Sequence, residues 1–264
     1  VAEGVLPGLL GALHTWPPEA LWPVTLLVCF GSTVAAVRWF GVVGISTYLV
    51  VAVLAANVQV TKVVATTLLG GPVAEGTIVF ASTYLATDIL TELYGRAAAR
   101  RAVWMSFAAY ALFTVLMLLL LGSRPLTAEE AGEGFAFAVG QHEHLAAVFT
   151  PAPAFFVAGM TSYLLSQLVD IRIFVGVGRL TSGRALWLRN TVSTCLSSLL
   201  DSAVFSLLAF RVLAADPVPW DALLWTYILG TWFLRVILSV LDTPFLYLAR
   251  GALARPPAWM AQPA

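Results

Sequence analysis

Long apolar runs, broken by Gly, Pro and Arg, set the pattern of this chain. They are continuous and do not alternate with period two, so they predict helices and not the strands of a barrel. Seven runs lie near or above the roughly 20 residues needed to cross hydrocarbon. They fall at about residues 21–37, 42–69, 73–94, 99–121, 154–177, 186–212 and 222–248. The first is the shortest. Arg38 and Gly41 part it from the second, and Gly70, Gly71 and Pro72 part the second from the third. Tyr94 and Gly95 close the third, and Pro151 and Pro153 lead into the fifth. Residues 1–20, with Pro7, Pro17 and Pro18, read as a loop with room for a short interfacial helix. The pattern predicts an all-α polytopic membrane bundle of about seven helices. It divides into an N-terminal loop and extra first span (1–40), a six-helix core (41–250) and a tail (251–264). No internal repeat is visible.

Composition agrees. The 264 residues are 60% hydrophobic and 11% charged, with a mean hydropathy of +0.89. Soluble domains average about 25% charged residues. Net charge is zero and no basic tract points to nucleic acid. The opening VAEGVLPGLL lacks the basic start of a signal peptide. Cys29 and Cys195 both sit inside apolar runs, where small buried thiols are expected and not a disulfide or metal site. The histidines, His14, His142 and His144, all fall in predicted loops. No metal site or cofactor is expected, nor a Ser–His hydrolase or Gly-x-Ser-x-Gly elbow. With no Walker A loop, any ATP would be used by another chain.

Polar residues inside the runs carry the candidate chemistry, because charges in hydrocarbon are costly and usually face a pathway or a partner. The stretch Ser82 to Arg101, STYLATDILTELYGRAAARR, places Asp88 and Glu92 four apart on one helix face, with Arg96, Arg100 and Arg101 just beyond. Glu92 lies near the boundary, where pairing with Arg96 is an alternative to a site role. The second run carries Asn57, Thr61 and Lys62; Lys62 either snorkels outward or joins a pocket. In the fifth, Gln167 and Asp170 share a face beside Ser162 and Ser166, with Arg172 near as a possible partner for Asp170. In the sixth, Asn190, Thr194, Ser197 and Asp201 form one stripe. The seventh carries Arg235 and Asp242, seven apart, then Thr243-Pro244. The partner of Arg235 is left open between Asp242, Asp201 and Asp88. The candidate binding residues are Asn57, Lys62, Asp88, Glu92, Gln167, Asp170, Asn190, Thr194, Asp201 and Arg235.

Lys and Arg set the orientation. Arg38, Arg96, Arg100, Arg101, Arg179, Arg184, Arg250 and Arg255 all fall on one side if there are seven spans. The opposite side carries the acidic loop 122–144 with only Arg124. The positive-inside rule then puts the N-terminus outside and the C-terminus in the cytoplasm, in a multi-pass protein of the cytoplasmic membrane.

Separated motifs make the chain resemble a known family. They are Asn57…Lys62, TDILTELYG (87–95) with Ala99-Arg100, SQLVDIRIF (166–174), WLRNTVST (187–194), LDSAVFSLLAF (200–210) and LDTPFLYL (241–248). In this order and spacing, across about residues 45–250, they resemble the queuosine precursor transporter family, also called the vitamin uptake transporter family. The chain departs at Thr191, Ser198 and Ser202, where the family pattern carries Asn, Gln and Thr, and in its extra first span. The resemblance implies a transporter and not an enzyme. It implies inward passage of 7-cyano- or 7-aminomethyl-7-deazaguanine, with the lipid bilayer as the other partner. The alternative is the substrate-binding subunit of an ATP-driven vitamin or nucleobase importer. A guanine-like edge offers two adjacent N–H donors that a carboxylate accepts together. Tyr84, Tyr94, Trp187 and Phe205 are candidates to stack on its flat face.

Overall fold

Without water in hydrocarbon, every backbone N–H and C=O must bond within its own segment, so the apolar runs fold as helices. In the computed structural model, residues 2–66, 72–149, 153–214 and 216–253 are described. Helix α1 is Ala2–His14, α2 Trp22–Gln59, α3 Gly76–Leu121, α4 Ala128–Ala131 and α5 Gln141–Phe149. Then come α6 Pro153–Leu180, α7 Leu186–Leu207, α8 Trp220–Ala222, α9 Thr231–Leu241 and α10 Thr243–Leu253. Among the described residues, five continuous helical stretches are long and apolar enough to span: Trp22–Gln59, Gly76–Leu121, Phe155–Leu180, Leu186–Val212 and Trp220–Ala252.

Two of these are too long to be single spans. The 38 residues of α2 and the 46 of α3 would extend about 57 and 69 Å if straight, roughly twice the hydrocarbon thickness. Each turns at a glycine with non-helical angles: Gly41 (φ 59°, ψ −140°) and Gly95 (φ 83°, ψ 165°). A side chain at Gly44 would meet the Ala36 carbonyl oxygen at 2.4 Å. Residues eight apart in a straight helix stand about 12 Å apart, so α2 reverses at Gly41. In α3, Phe80 and Ser106 both contact Tyr163, by ring packing and by a 2.6 Å hydrogen bond. A straight helix would separate them by about 39 Å, so α3 reverses at Gly95. Among the described residues the bundle therefore has seven membrane-length segments: 22–40, 42–59, 76–94, 96–121, 153–180, 186–212 and 220–253.

The second segment is shorter than its apolar run suggested. Helix α2 stops at Gln59, and Val63–Ala65 pairs antiparallel with Pro72–Ala74 in a small hairpin, Val63 opposite Ala74. The β-branched residues Val60, Thr61, Val63 and Val64 favour the extended form over a helix. The last two segments also depart from plain helix. Leu208–Val212 and Leu223–Gly230 are π-helical turns, and the rings of Phe210 and Tyr227 join them at 4.4 Å. Between α9 and α10 the helix breaks at Asp242, just before Pro244, which lacks an N–H. The loop after α3 is ordered by a capping box at Thr127 and Glu130 and by the Arg124–Glu130 ion pair.

Beside a buried apolar core, many polar side chains lie inside and many large apolar ones face outward. Leu27, Val43, Leu116, Leu119, Phe233 and Leu248 are exposed, while Asp88, Asp170, Gln167, Asn190 and Ser197 are buried. An apolar exterior of this extent around a polar interior is the arrangement expected in lipid. Phe30 of the first segment is buried against Phe245, ring centroids 5.4 Å apart, so that segment packs into the bundle.

Candidate functional site

Four side chains of α3 lie at four-residue steps: Phe80, Tyr84, Asp88 and Glu92. That spacing stacks them along one face. Each meets a different set of partners on α6, α7 and the α9–α10 segment, which divides the polar interior into levels.

At the level farthest from the Gly95 turn, Arg235 of α9 pairs with Asp201 of α7. The guanidinium lies over the Phe80 ring, 5.1 Å from its centroid. The Ser166 hydroxyl donates to Asp201 Oδ1 at 3.2 Å, and the Tyr84 hydroxyl donates to Ser166 at 3.1 Å. Asp201 is thus held by a cation and a hydroxyl, as a buried carboxylate requires. Beside it, Gln167 donates to Thr83 Oγ1 at 2.8 Å and accepts from Thr87 at 2.9 Å. Its amide is used to fasten α6 to α3.

One turn toward Gly95 the arrangement changes. Asp88, Asp170 and Asp242 are at most 1% exposed, and none forms an ion pair among the described residues. Asp170 Oδ1 accepts from Ser197 at 2.8 Å. Asn190 donates to Asp242 Oδ1 at 2.6 Å, and also to the Ser239 carbonyl at the helix break and to Thr243, both at 3.1 Å. Both oxygens of Asp88 are buried with no donor, as are Asp170 Oδ2, Asn190 Oδ1 and the Thr194 hydroxyl. The carboxyl groups of Asp88 and Asp170 adjoin each other and Ser193, whose hydroxyl donates to the Asn190 carbonyl at 3.2 Å. Buried polar atoms are rarely left unpaired, so a cluster of them marks where a ligand's donors belong.

Nearest the Gly95 turn, Glu92 accepts Arg189 at 2.9 Å and lies 3.5 Å from Arg250. This joins α3, α7 and α10 into a clasp. Arg189 also lies over Phe174, 5.0 Å from its ring centroid. A side chain at Gly178 would come within 3.0 Å of the Arg189 side chain, so the glycine makes room for it.

Asp88 and Asp170 come together at the middle level, where Asn190 holds Asp242 and Thr194 lies one turn along α7 from Asn190. Gln167, Asp201 and Arg235 lie one level out, and Glu92 lies one level in. Asp201 is the partner of Arg235, and Glu92 takes Arg189 and Arg250 while Arg96 is exposed. Lys62 and Asn57 stand apart. Lys62 lies past the end of α2, exposed in the turn before the hairpin, because the helix ends before it. Asn57 donates back to the Val53 carbonyl at 2.7 Å. It lines a small cavity with Tyr110, Phe113 and Phe156, with no hydrogen bond to the acids. Of the aromatic candidates, Tyr84 is beside the acids, Trp187 is 53% exposed, and Phe205 packs with Phe155 and Phe210. Phe80, Phe174 and Ser193 were not singled out from sequence. The four-residue step back from Tyr84 was the signal for Phe80. Asp242, one of the three acids open to Arg235 by sequence, instead completes the acidic level. Among the described residues no group of three His, Cys, Asp or Glu could hold a metal ion.

The middle level can accept a compact set of N–H donors in a site shut off from water, and it offers one free hydroxyl. A lipid-facing bundle built around such a level is a polytopic membrane protein of the transport class. Residues 74–249 match the family profile described as "Putative vitamin uptake transporter", and the chain belongs to this family. Over 235 residues it is 27% identical to a Bacillus subtilis (strain 168) protein named "Probable queuosine precursor transporter", covering 88% of this chain and 94% of the relative. No solved structure matches.

Proposed function

We propose that this protein imports a queuosine precursor, 7-cyano- or 7-aminomethyl-7-deazaguanine, across the cytoplasmic membrane. The observation that carries the reading is Asp88. It is fully buried in the interior of the bundle, and neither oxygen has a donor. A deazaguanine presents N1–H and N2–H side by side, the pair one carboxylate accepts in two parallel bonds. Asn190 Oδ1 is free to accept a further N–H, and the Thr194 hydroxyl is free to donate to O6. The Tyr84 ring, one turn away, supplies a flat apolar face. The name of the Bacillus subtilis relative supports the same substrate class. Arg38, Arg96, Arg100, Arg101, Arg179, Arg184 and Arg250 lie at the Gly95 end of the bundle. That end faces the cytoplasm in this reading, and the Glu92 clasp closes the cytoplasmic exit.

The test is uptake of labelled 7-cyano-7-deazaguanine by cells that cannot make queuosine precursors. Expression of this chain is expected to restore uptake and queuosine in tRNA. A correctly inserted protein that restores neither would refute the reading.

A further inference from the structure

Asp88 and Asp170 set acceptor against acceptor. Each is 0% exposed, their carboxyl groups adjoin, and three of their four oxygens have no donor. The groups around them are committed elsewhere or to the fourth oxygen. On α3, Glu92 is committed to Arg189 and Arg250, and the Tyr84 hydroxyl is committed to Ser166. On α7, Ser193 and Ser197 donate elsewhere or to Asp170 Oδ1, and Asp201 is paired with Arg235 of α9. From the α9–α10 break comes a third acid, Asp242, satisfied on one oxygen by Asn190. Cys195 of α7 contacts Ser239 on the same side. No Lys or Arg among the described residues pairs with any of the three acids. Two carboxylates in contact without a cation repel each other strongly at low dielectric. The smallest group that turns this contact into a hydrogen bond is a proton.

We infer that the Asp88–Asp170 pair holds one exchangeable proton and that this proton is carried inward with the substrate. The inference rests on the proposed deazaguanine reading for its cargo. In the empty protein open to the outside the proton lies between the two carboxyl groups. When substrate binds, Asp88 turns its oxygens to N1–H and N2–H, and Asp170 keeps the proton. The closed site then holds one carboxylate at this pair instead of two. Proton and substrate therefore favour each other's binding, which is the condition for cotransport. On opening inward, the neutral 7-cyano-7-deazaguanine and the proton both leave to the cytoplasm; the pair returns without its proton and takes a new one once the site opens outward again. No covalent bond of the substrate changes, and with this neutral cargo one positive charge moves inward per cycle.

The test has two arms, both on the full chain in lipid vesicles. Infrared spectra without substrate read the pair directly. A protonated-carboxyl band is expected in the wild type and is lost in Asp170→Asn, whose amide supplies the missing donor to Asp88 and whose carbonyl keeps the Ser197 bond. Transport reads the coupling. With membrane potential clamped at zero, a pH gradient of one unit, acid outside, is expected to hold about tenfold accumulation of 7-cyano-7-deazaguanine. A protonophore should abolish it. Asp170→Asn should carry label at most to equal concentrations, whatever its rate. Accumulation in the wild type that ignores the pH gradient, or that follows a sodium gradient, overturns the inference, as does a wild type without the carboxyl band. If Asp170→Asn does not fold, these wild-type measurements decide alone. A protein that shows the band but neither binds nor moves the deazaguanine refutes the substrate reading and leaves the proton site standing.

Discussion

Two buried aspartates on facing helices differ in what surrounds them. Asp201 has a cation and a hydroxyl; Asp88 has neither. Removing the charge of Asp201 strands Arg235, whose side chain is 15% exposed. Stranding one member of a buried pair costs about 3–5 kcal/mol. Asp201→Asn is therefore expected to lower the yield and thermal midpoint of detergent-purified protein. Adding Arg235→Gln should restore part of the loss, as a double-mutant cycle would show. An Asp201→Asn protein as stable as wild type would show that the pair is not structural. The sequence showed which residues were polar on which helical stripe, because period 3.6 is local. It left the partner of Arg235 open among three acids, because pairing depends on which helices adjoin. Lys62 was misplaced because apolar β-branched residues past Gln59 prolong the hydropathy run without prolonging the helix.

At the scale of elements, the reversals are carried by single glycines. Gly95 has φ 83° and ψ 165° with open space around it. A substitution there strains the backbone without a clash, at about 1–3 kcal/mol. Gly31 is helical and also has open space, so alanine there removes chain entropy at no steric cost. Gly95→Ala should lower the thermal midpoint, and Gly31→Ala should leave it equal or higher. Equal midpoints for both would mean that the chain reverses at 95 without needing glycine's freedom. The Tyr94-Gly95 stop was legible, since it ends an apolar pattern just before a cluster of arginines. The break at Asp242 and the two π-turns were not, because they depend on contacts such as Asn190 with the Ser239 carbonyl and Phe210 with Tyr227.

At the scale of the whole molecule, seven segments bring the Gly41 and Gly95 turns, the 181–185 turn and the end of α10 to one side. Loop 122–144 then lies on the other. Topology reporters inserted at Gly140 and after Leu253 should read opposite compartments, with Leu253 cytoplasmic; the same compartment for both would break the seven-segment path. Between these ends lies the level where acceptors outnumber donors, and the account turns on Asp88 there reading the substrate. Replacing Asp88 by Asn keeps the shape but sets an NH₂ against a two-donor edge. Loss of a charged hydrogen bond contributes about 1.5–3 kcal/mol, roughly 10- to 100-fold in affinity. The most direct measurement is equilibrium binding of 7-cyano-7-deazaguanine to purified wild type and Asp88→Asn in parallel, with thermal unfolding of both. Saturable binding to the wild type is expected, with at least tenfold weaker binding to a variant that is equally folded. A folded Asp88→Asn protein that binds as tightly as the wild type would contradict it.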